Sequence, residues 1–289
     1  MDGFEISEIG RLRSPIVIVA FTGWSDTGTV TVDTAQHLVD SYSARRFLTV
    51  DPEEYFVFTE TRPTVKLDVN GLRELEWPTN EAFGAVLADS AHDIVIFKGA
   101  EPNLRWRTFA GKLGDTIAAL QPSLVCTLVA RPAATPHTRP VPVTGSSADP
   151  ELAARFGLGR SMYQGPTGII GVLHDVLRNH GTPLVSLAAG VPHYLNVDEN
   201  PPATMALLRA LEPVIGLAPP LGDLESEGVR FVERVEEASR GDDQIQAYVR
   251  TLEEHYGEAE TAEAEAPADL PSADQILRDI EDLLRGNKD

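Results

Sequence analysis

The sequence predicts a three-layer α/β/α domain built on a mostly parallel sheet. Two observations carry this. Short, continuously apolar runs rich in β-branched residues recur along the chain, as strands buried on both faces require. The stretches between them repeat their apolar residues at helical spacing, and strands alternating with amphipathic helices specify a sheet covered on both sides.

The elements follow in order. Ile16–Phe21 is an unbroken apolar run and reads as the first core strand. Gly28–Tyr42 places Val32, Ala35, Leu38 and Val39 on one side of a helix. Phe47–Val50 is the second strand. Val65–Val69 alternates, Asn70-Gly71 interrupts, and Leu72–Trp77 continues. This predicts an antiparallel excursion over roughly residues 56–77, with a two-residue type I′ turn at Asn70-Gly71. Further strands follow at Ile94–Phe97, Leu124–Val129 and Leu184–Ala188, with helices over Leu104–Leu120, Gly168–His180 and Pro201–Ile215.

The domain reading is a body over residues 1–222, a helical extension over 223–256, an acidic linker over 257–270 and an amphipathic helix over 271–289. In the extension, Val229, Val232, Val235, Ile245, Tyr248, Val249 and Leu252 form the expected packing face. The linker carries five acids and no base, a composition that stays solvated. In the last helix, Ser272 and Gln275 form a capping box, and Ile276, Leu277, Ile280, Leu283 and Leu284 form an apolar stripe.

Charge narrows the function classes. The 289-residue chain has 24 Lys+Arg against 44 Asp+Glu, a net charge of −20. Phosphate-backbone binding needs a basic face, so nucleic acid is not the expected partner, nor is an anionic membrane surface. No basic segment precedes an apolar run near Met1, and the longest apolar run is far too short for a membrane span; the expectation is a cytoplasmic protein. The single cysteine, Cys126, sits in a buried strand and excludes an intramolecular disulfide.

Motif tests give few chemical leads. Gly23-Trp24-Ser25-Asp26-Thr27-Gly28 follows the first strand and opens the first helix, a position that favours anions. It lacks the Lys-Ser/Thr pair of a Walker loop and the spacing of a dinucleotide loop. It also lacks the final glycine of a nucleophile elbow. A turn with Asp26 or Ser25 capping the helix is the competing reading. Later strand ends bring Glu101, His137, Arg139, Thr167, His193 and Tyr194. The carboxyl ends of parallel strands share one rim, so these residues, with Trp24, Ser25 and Asp26, stand where they can converge on a ligand or partner site. Each also has a plainer reading, such as a Lys98–Glu101 ion pair or a rigid Pro-rich loop around His137. The histidines do not make a metal pattern, and neither metal nor cofactor is expected.

Five motifs in order carry a resemblance: Gly23-Trp24-Ser25-Asp26-Thr27-Gly28, Gly99-Ala100-Glu101-Pro102, Pro136-His137-Thr138-Arg139-Pro140, Gly165-Pro166-Thr167-Gly168-Ile169-Ile170-Gly171 and Val191-Pro192-His193-Tyr194. Together they resemble the proteasome assembly chaperone 2 family in its prokaryotic branch. The resemblance implies a nucleoside-phosphorylase-like fold, a cytoplasmic homo-oligomer and a proteasome-related protein partner. The end, Gly286-Asn287-Lys288-Asp289, differs from the hydrophobic-Tyr-any tail of docking members. The leading expectation is a non-catalytic assembly or interaction protein. The alternative is a small-molecule transferase, ligase or hydrolase in which Asp26, Glu101 or His137 moves protons and Arg139 holds an anion. A ligand sensor without turnover is the third class.

Overall fold

The computed structural model describes residues 3–195, 197–240 and 242–256. Among them, eight strands form one sheet in the order β1-β3-β6-β7-β2-β8-β10-β9. They are β1 (Phe4–Ile6), β2 (Ile16–Thr22), β3 (Arg45–Val50), β6 (Asn80–Ala85), β7 (Ile94–Ala100), β8 (Leu124–Ala133), β9 (Val143–Ser146) and β10 (Leu184–Pro192). Strands β7, β2, β8 and β10 pair in parallel. Strand β6 is antiparallel to both β7 and β3, so β3 runs with the central strands. The edge strands β1 and β9 run against their neighbours. The sheet is therefore mixed, with five strands in one direction.

Alternation along β2 shows why it is apolar throughout. Ile16, Ile18 and Ala20 join the core under α1 (Val30–Ser41) and α5 (Pro201–Ile215). Val17, Val19 and Phe21 join the core under α2 (Trp106–Ala119) and α4 (Ile169–Asn179). Both faces are covered, as the three-layer reading requires. Cys126 lies in this interior, and burial pushes its thiol up. A short helix, α3 (Pro150–Phe156), is capped by Asp149, whose Oδ1 accepts from Glu151 N and Leu152 N.

The excursion between β3 and β6 is the expected hairpin, β4 (Thr64–Leu67) with β5 (Arg73–Glu76). Its turn differs from the expected type I′. Gly71 N donates to Asp68 O and Asp68 N to Leu72 O, which closes a three-residue loop. Gly71, at φ 78°, is its only residue with positive φ. The cause is Asp68: its Oδ1 accepts from the backbone of Asn70 and Leu72 and selects the longer loop.

The C-terminal extension forms α6 (Leu224–Ser239) and α7 (Asp243–His255). In α7, Val249 and Leu252 are buried as expected, whereas in α6 the packing face is rotated. Gly228 and Phe231 are buried, while Val229, Ile245 and Tyr248 are exposed. Gly228 sets this phase: a Cβ there would lie 2.7 Å from Met205 Cε of α5, so the small residue faces the body. The described residues up to Glu254 form one compact unit. No helix among the described residues is long and apolar enough to cross a membrane. The expected linker over 257–270 and helix over 271–289 lie outside the described residues.

Candidate functional site

The parallel strands end on one rim. The chain leaves β2 toward β3 on one side, returns as β7, and crosses to β8 on the other. That reversal is where open α/β sheets build sites. The loop 23–29 sits at this point. Gly23, at φ 106°, turns the chain, and Asp26 N closes the turn on Gly23 O at 3.0 Å. Asp26 Oδ1 accepts from Thr27 N and from Thr31 N, both at 3.0 Å. Asp26 thus caps α1 from three residues upstream of Thr29, its N-terminal flanking residue. Its Oδ2 is buried without a partner, and burial pushes the carboxyl up to about 7. Ser25 O accepts from Ala130 N, and Thr27 Oγ1 donates to Ala130 O, so the loop is stitched to β8.

Glu101, just past β7, joins two other segments to this loop. Its Oε2 accepts from Trp24 N at 3.0 Å and its Oε1 from Ile169 N, the first residue of α4, at 2.6 Å. A Cβ on Gly23 would stand 2.8 Å from Glu101 Cβ, and one on Gly168 2.7 Å from Glu101 Oε1. Three of the sequence motifs therefore form one latch: two glycines admit a carboxylate that ties both loops together and neutralises the positive end of α4. Lys98 faces Glu81, with 3.9 Å between Nζ and Oε2. The Lys98–Glu101 pair read from the sequence is replaced by backbone contacts of Glu101. Thr167, beside Gly168, is exposed, as is Trp24.

The latch predicts a measurable loss. Hydrogen bonds to a charged group contribute about 1.5–3 kcal/mol each. The bond from Trp24 N is exposed to solvent and counts for less, so Glu101→Ala is expected to lower unfolding free energy by roughly 2–3 kcal/mol in urea denaturation. Glu101→Gln should recover no more than one bond, because an amide nitrogen cannot accept from the second N–H.

The remaining rim residues gather elsewhere. Tyr194 OH accepts from His137 N at 2.8 Å and stands 2.7 Å from His137 Nδ1. His193 Nδ1 donates to Ala133 O at 2.9 Å, which leaves its Nε2 to accept from Tyr248 OH at 3.0 Å. The four rings meet edge to face. Burial pulls His137 below the usual histidine range and raises Tyr194. Arg139 is exposed, and His174 bonds Thr127 under the sheet with its pKa drawn down to about 4 by burial. Among the described residues no hydrogen bond joins the Asp26–Glu101 group to the His137–His193–Tyr194 group. Sequence reasoning placed Tyr248 on a packing face and missed its bond to His193, a partner 55 residues away that no local pattern signals.

This arrangement has relatives. The sequence pattern that defines the PAC2 family matches residues 20–239. The chain belongs to the PAC2 family. Its structure is similar to that of a PAC2 family protein from Streptomyces avermitilis, with 39% identity and a TM-score of 0.74 over 81% of this chain and 99% of that one. A proteasome-assembly chaperone homologue of Mycobacterium tuberculosis is 38% identical to the PAC2 chain, with a TM-score of 0.72 over 81% and 99%. Pyrococcus furiosus PbaB, an archaeal proteasome activator, shares the fold at 19% identity, with a TM-score of 0.65 over 82% and 98%. No curated protein matches the chain.

Proposed function

We propose that this PAC2 chain is a non-catalytic assembly and interaction protein of the cytoplasm that works as a homo-oligomer and has a proteasome-related protein as partner. The observation that carries the reading is the β4–β5 hairpin. Val65, Leu67 and Leu75 share one of its faces and are 52%, 69% and 54% exposed, and both strands are exposed along their length. A lone two-stranded hairpin is marginal in water, and contiguous exposed apolar surface marks an interaction site. A second copy is the occupant this reading assigns to it. The rim supports the same reading: Glu101 spends both carboxylate oxygens on backbone donors. The Mycobacterium relative, a proteasome-assembly chaperone homologue, supports the choice of partner.

Native mass spectrometry tests it. The purified chain is expected to run as an oligomer, and Leu67→Lys with Leu75→Lys should weaken self-association at least about tenfold, since each buried leucine contributes roughly 1.5–3 kcal/mol. Mixed with proteasome α-subunits, the wild-type chain should form a complex. A monomer that ignores the subunits rejects the reading.

The alternative of a small-molecule transferase, ligase or hydrolase has one observation in its favour. Asp26 holds a buried, unpartnered Oδ2 at the strand-end rim, with a pKa suited to proton transfer near neutral pH.

A further inference from the structure

A cavity of about 400 Å³ opens between the end of β10 and the helices α6 and α7. Its apolar lining comes from Leu195, Val197, Phe231, Val235 and Ile245. Its volume lies in the range of sites that take a drug-sized molecule or a few side chains.

His137 also lines it. That histidine is 8% exposed, and its Nε2 is buried with no hydrogen-bond partner. Tyr194 OH accepts the backbone N–H of His137, and its own proton is available to Nδ1. This assigns the imidazole proton to Nε2, a buried donor in need of an acceptor. A backbone carbonyl supplies one.

Charge selects among apolar occupants. Glu199 lines the cavity, and Glu236 and Glu253 act electrostatically on His137. Arg234 is the one cation in the lining. Glu199 and Arg234 balance within the lining, so Glu236 and Glu253 beside it, on a chain of net charge −20, tip the surroundings against an anionic ligand and toward a basic one.

We propose that this cleft is the docking site for a short apolar peptide segment, flanked by lysine or arginine, of a partner protein. The proposal rests on the reading of the chain as a protein-binding factor and adds the place and the chemistry of recognition. The apolar side chains fill the cavity, a main-chain carbonyl accepts from His137 Nε2, and the flanking cations face Glu199, Glu236 and Glu253.

The test is fluorescence anisotropy on the full-length chain with three labelled peptides. The first has a leucine–phenylalanine core flanked by lysines. The second is the chain's own residues 271–289, apolar but with five carboxylates against three cations. The third carries lysine and glycine only. The first is expected to bind at least tenfold more tightly than the others, and added salt should weaken it. Ala238 lines the cavity from the exposed side of α6, so Ala238→Trp should fill the cleft and cut that affinity at least tenfold with unchanged melting. Arg234→Glu should raise it, a gain that misfolding cannot produce. The proposal is overturned if the first peptide does not bind, if Ala238→Trp leaves its affinity unchanged, or if residues 271–289 bind best. It is equally overturned if Ala238→Trp alters oligomer size instead, which assigns the cleft to a second copy. A chain that joins proteasome subunits yet ignores the first peptide refutes the cleft alone. A monomer that takes the peptide in the cleft and ignores those subunits refutes the proposed function alone.

Discussion

Replacing Gly28 by alanine is expected to lower the stability of the domain by about 2–5 kcal/mol. Two independent effects add. Gly28 has φ 66°, where a side chain costs roughly 1–2 kcal/mol. A Cβ there would also stand 2.4 Å from Asp198 O and 2.8 Å from Val197 O. Those are backbone atoms, so the loop before α5 must move, and with it goes the bond from Thr29 N to Asp198 O at 2.8 Å. Overpacking of this kind costs a further ~1–3 kcal/mol. Gly157→Ala isolates the first effect. Gly157 has φ 64° with nothing within 4 Å of its would-be Cβ, so only the conformational cost of roughly 1–2 kcal/mol applies. Urea denaturation of the two variants separates clash from conformation. Equal losses in both would mean that the 197–198 loop yields freely.

Asp26→Asn should make the protein more stable at alkaline pH and leave it nearly unchanged in acid. The carboxyl is raised from 3.8 to about 7 in the folded chain, mainly by burial. Between those values the folded protein holds a proton that the unfolded chain releases, so wild-type stability falls as pH rises through that window. One pKa unit corresponds to about 1.4 kcal/mol, so a shift of about three units amounts to at most about 4 kcal/mol. Asparagine keeps the Oδ1 acceptor for Thr27 N and Thr31 N and cannot ionise, so it resembles the protonated aspartate. Melting of both proteins from pH 4 to pH 8 should show curves that nearly coincide at pH 4, diverge as the pH rises, and run parallel above about pH 7. Curves parallel over the whole range would mean that Asp26 titrates normally. Asp26→Ala also loses the cap to Thr31 N and should cost about 0.5–2 kcal/mol even in acid. If Asp26 serves a partner or ligand instead, both variants will lose binding at a pH where their stability is unchanged.

The parts of the fold legible in the sequence were those where burial is two-sided. Ile16–Phe21 and Ile94–Phe97 are apolar at every position because helices cover both faces. Strands β1, β6 and β9 escaped notice for the opposite reason. Strand β6 carries Glu81 and Gly84 among its six residues and alternates between buried and half-buried positions. Its pairing with β3 and β7 comes from tertiary context, which short sequences do not announce. Asn70-Gly71 marked the hairpin correctly, but the competing side-chain acceptor of Asp68 decided its loop. At the rim, the capping role of Asp26 was readable from helix-start logic. The role of Glu101 was not, because its partners, Trp24 and Ile169, lie 77 and 68 residues away.

That separation bears on the order of events in folding. The Glu101 latch can close only after β2, β7 and the start of α4 have come together, and each closure spans a long stretch of chain. A contact that waits on those pairings is expected to be weak in the transition state for folding. Glu101→Ala is then expected to leave the refolding rate nearly untouched and to speed unfolding, which stopped-flow kinetics checks. With that outcome the carboxylate is a kinetic clasp: it governs how long the rim of the domain stays closed, more than how fast the domain is made.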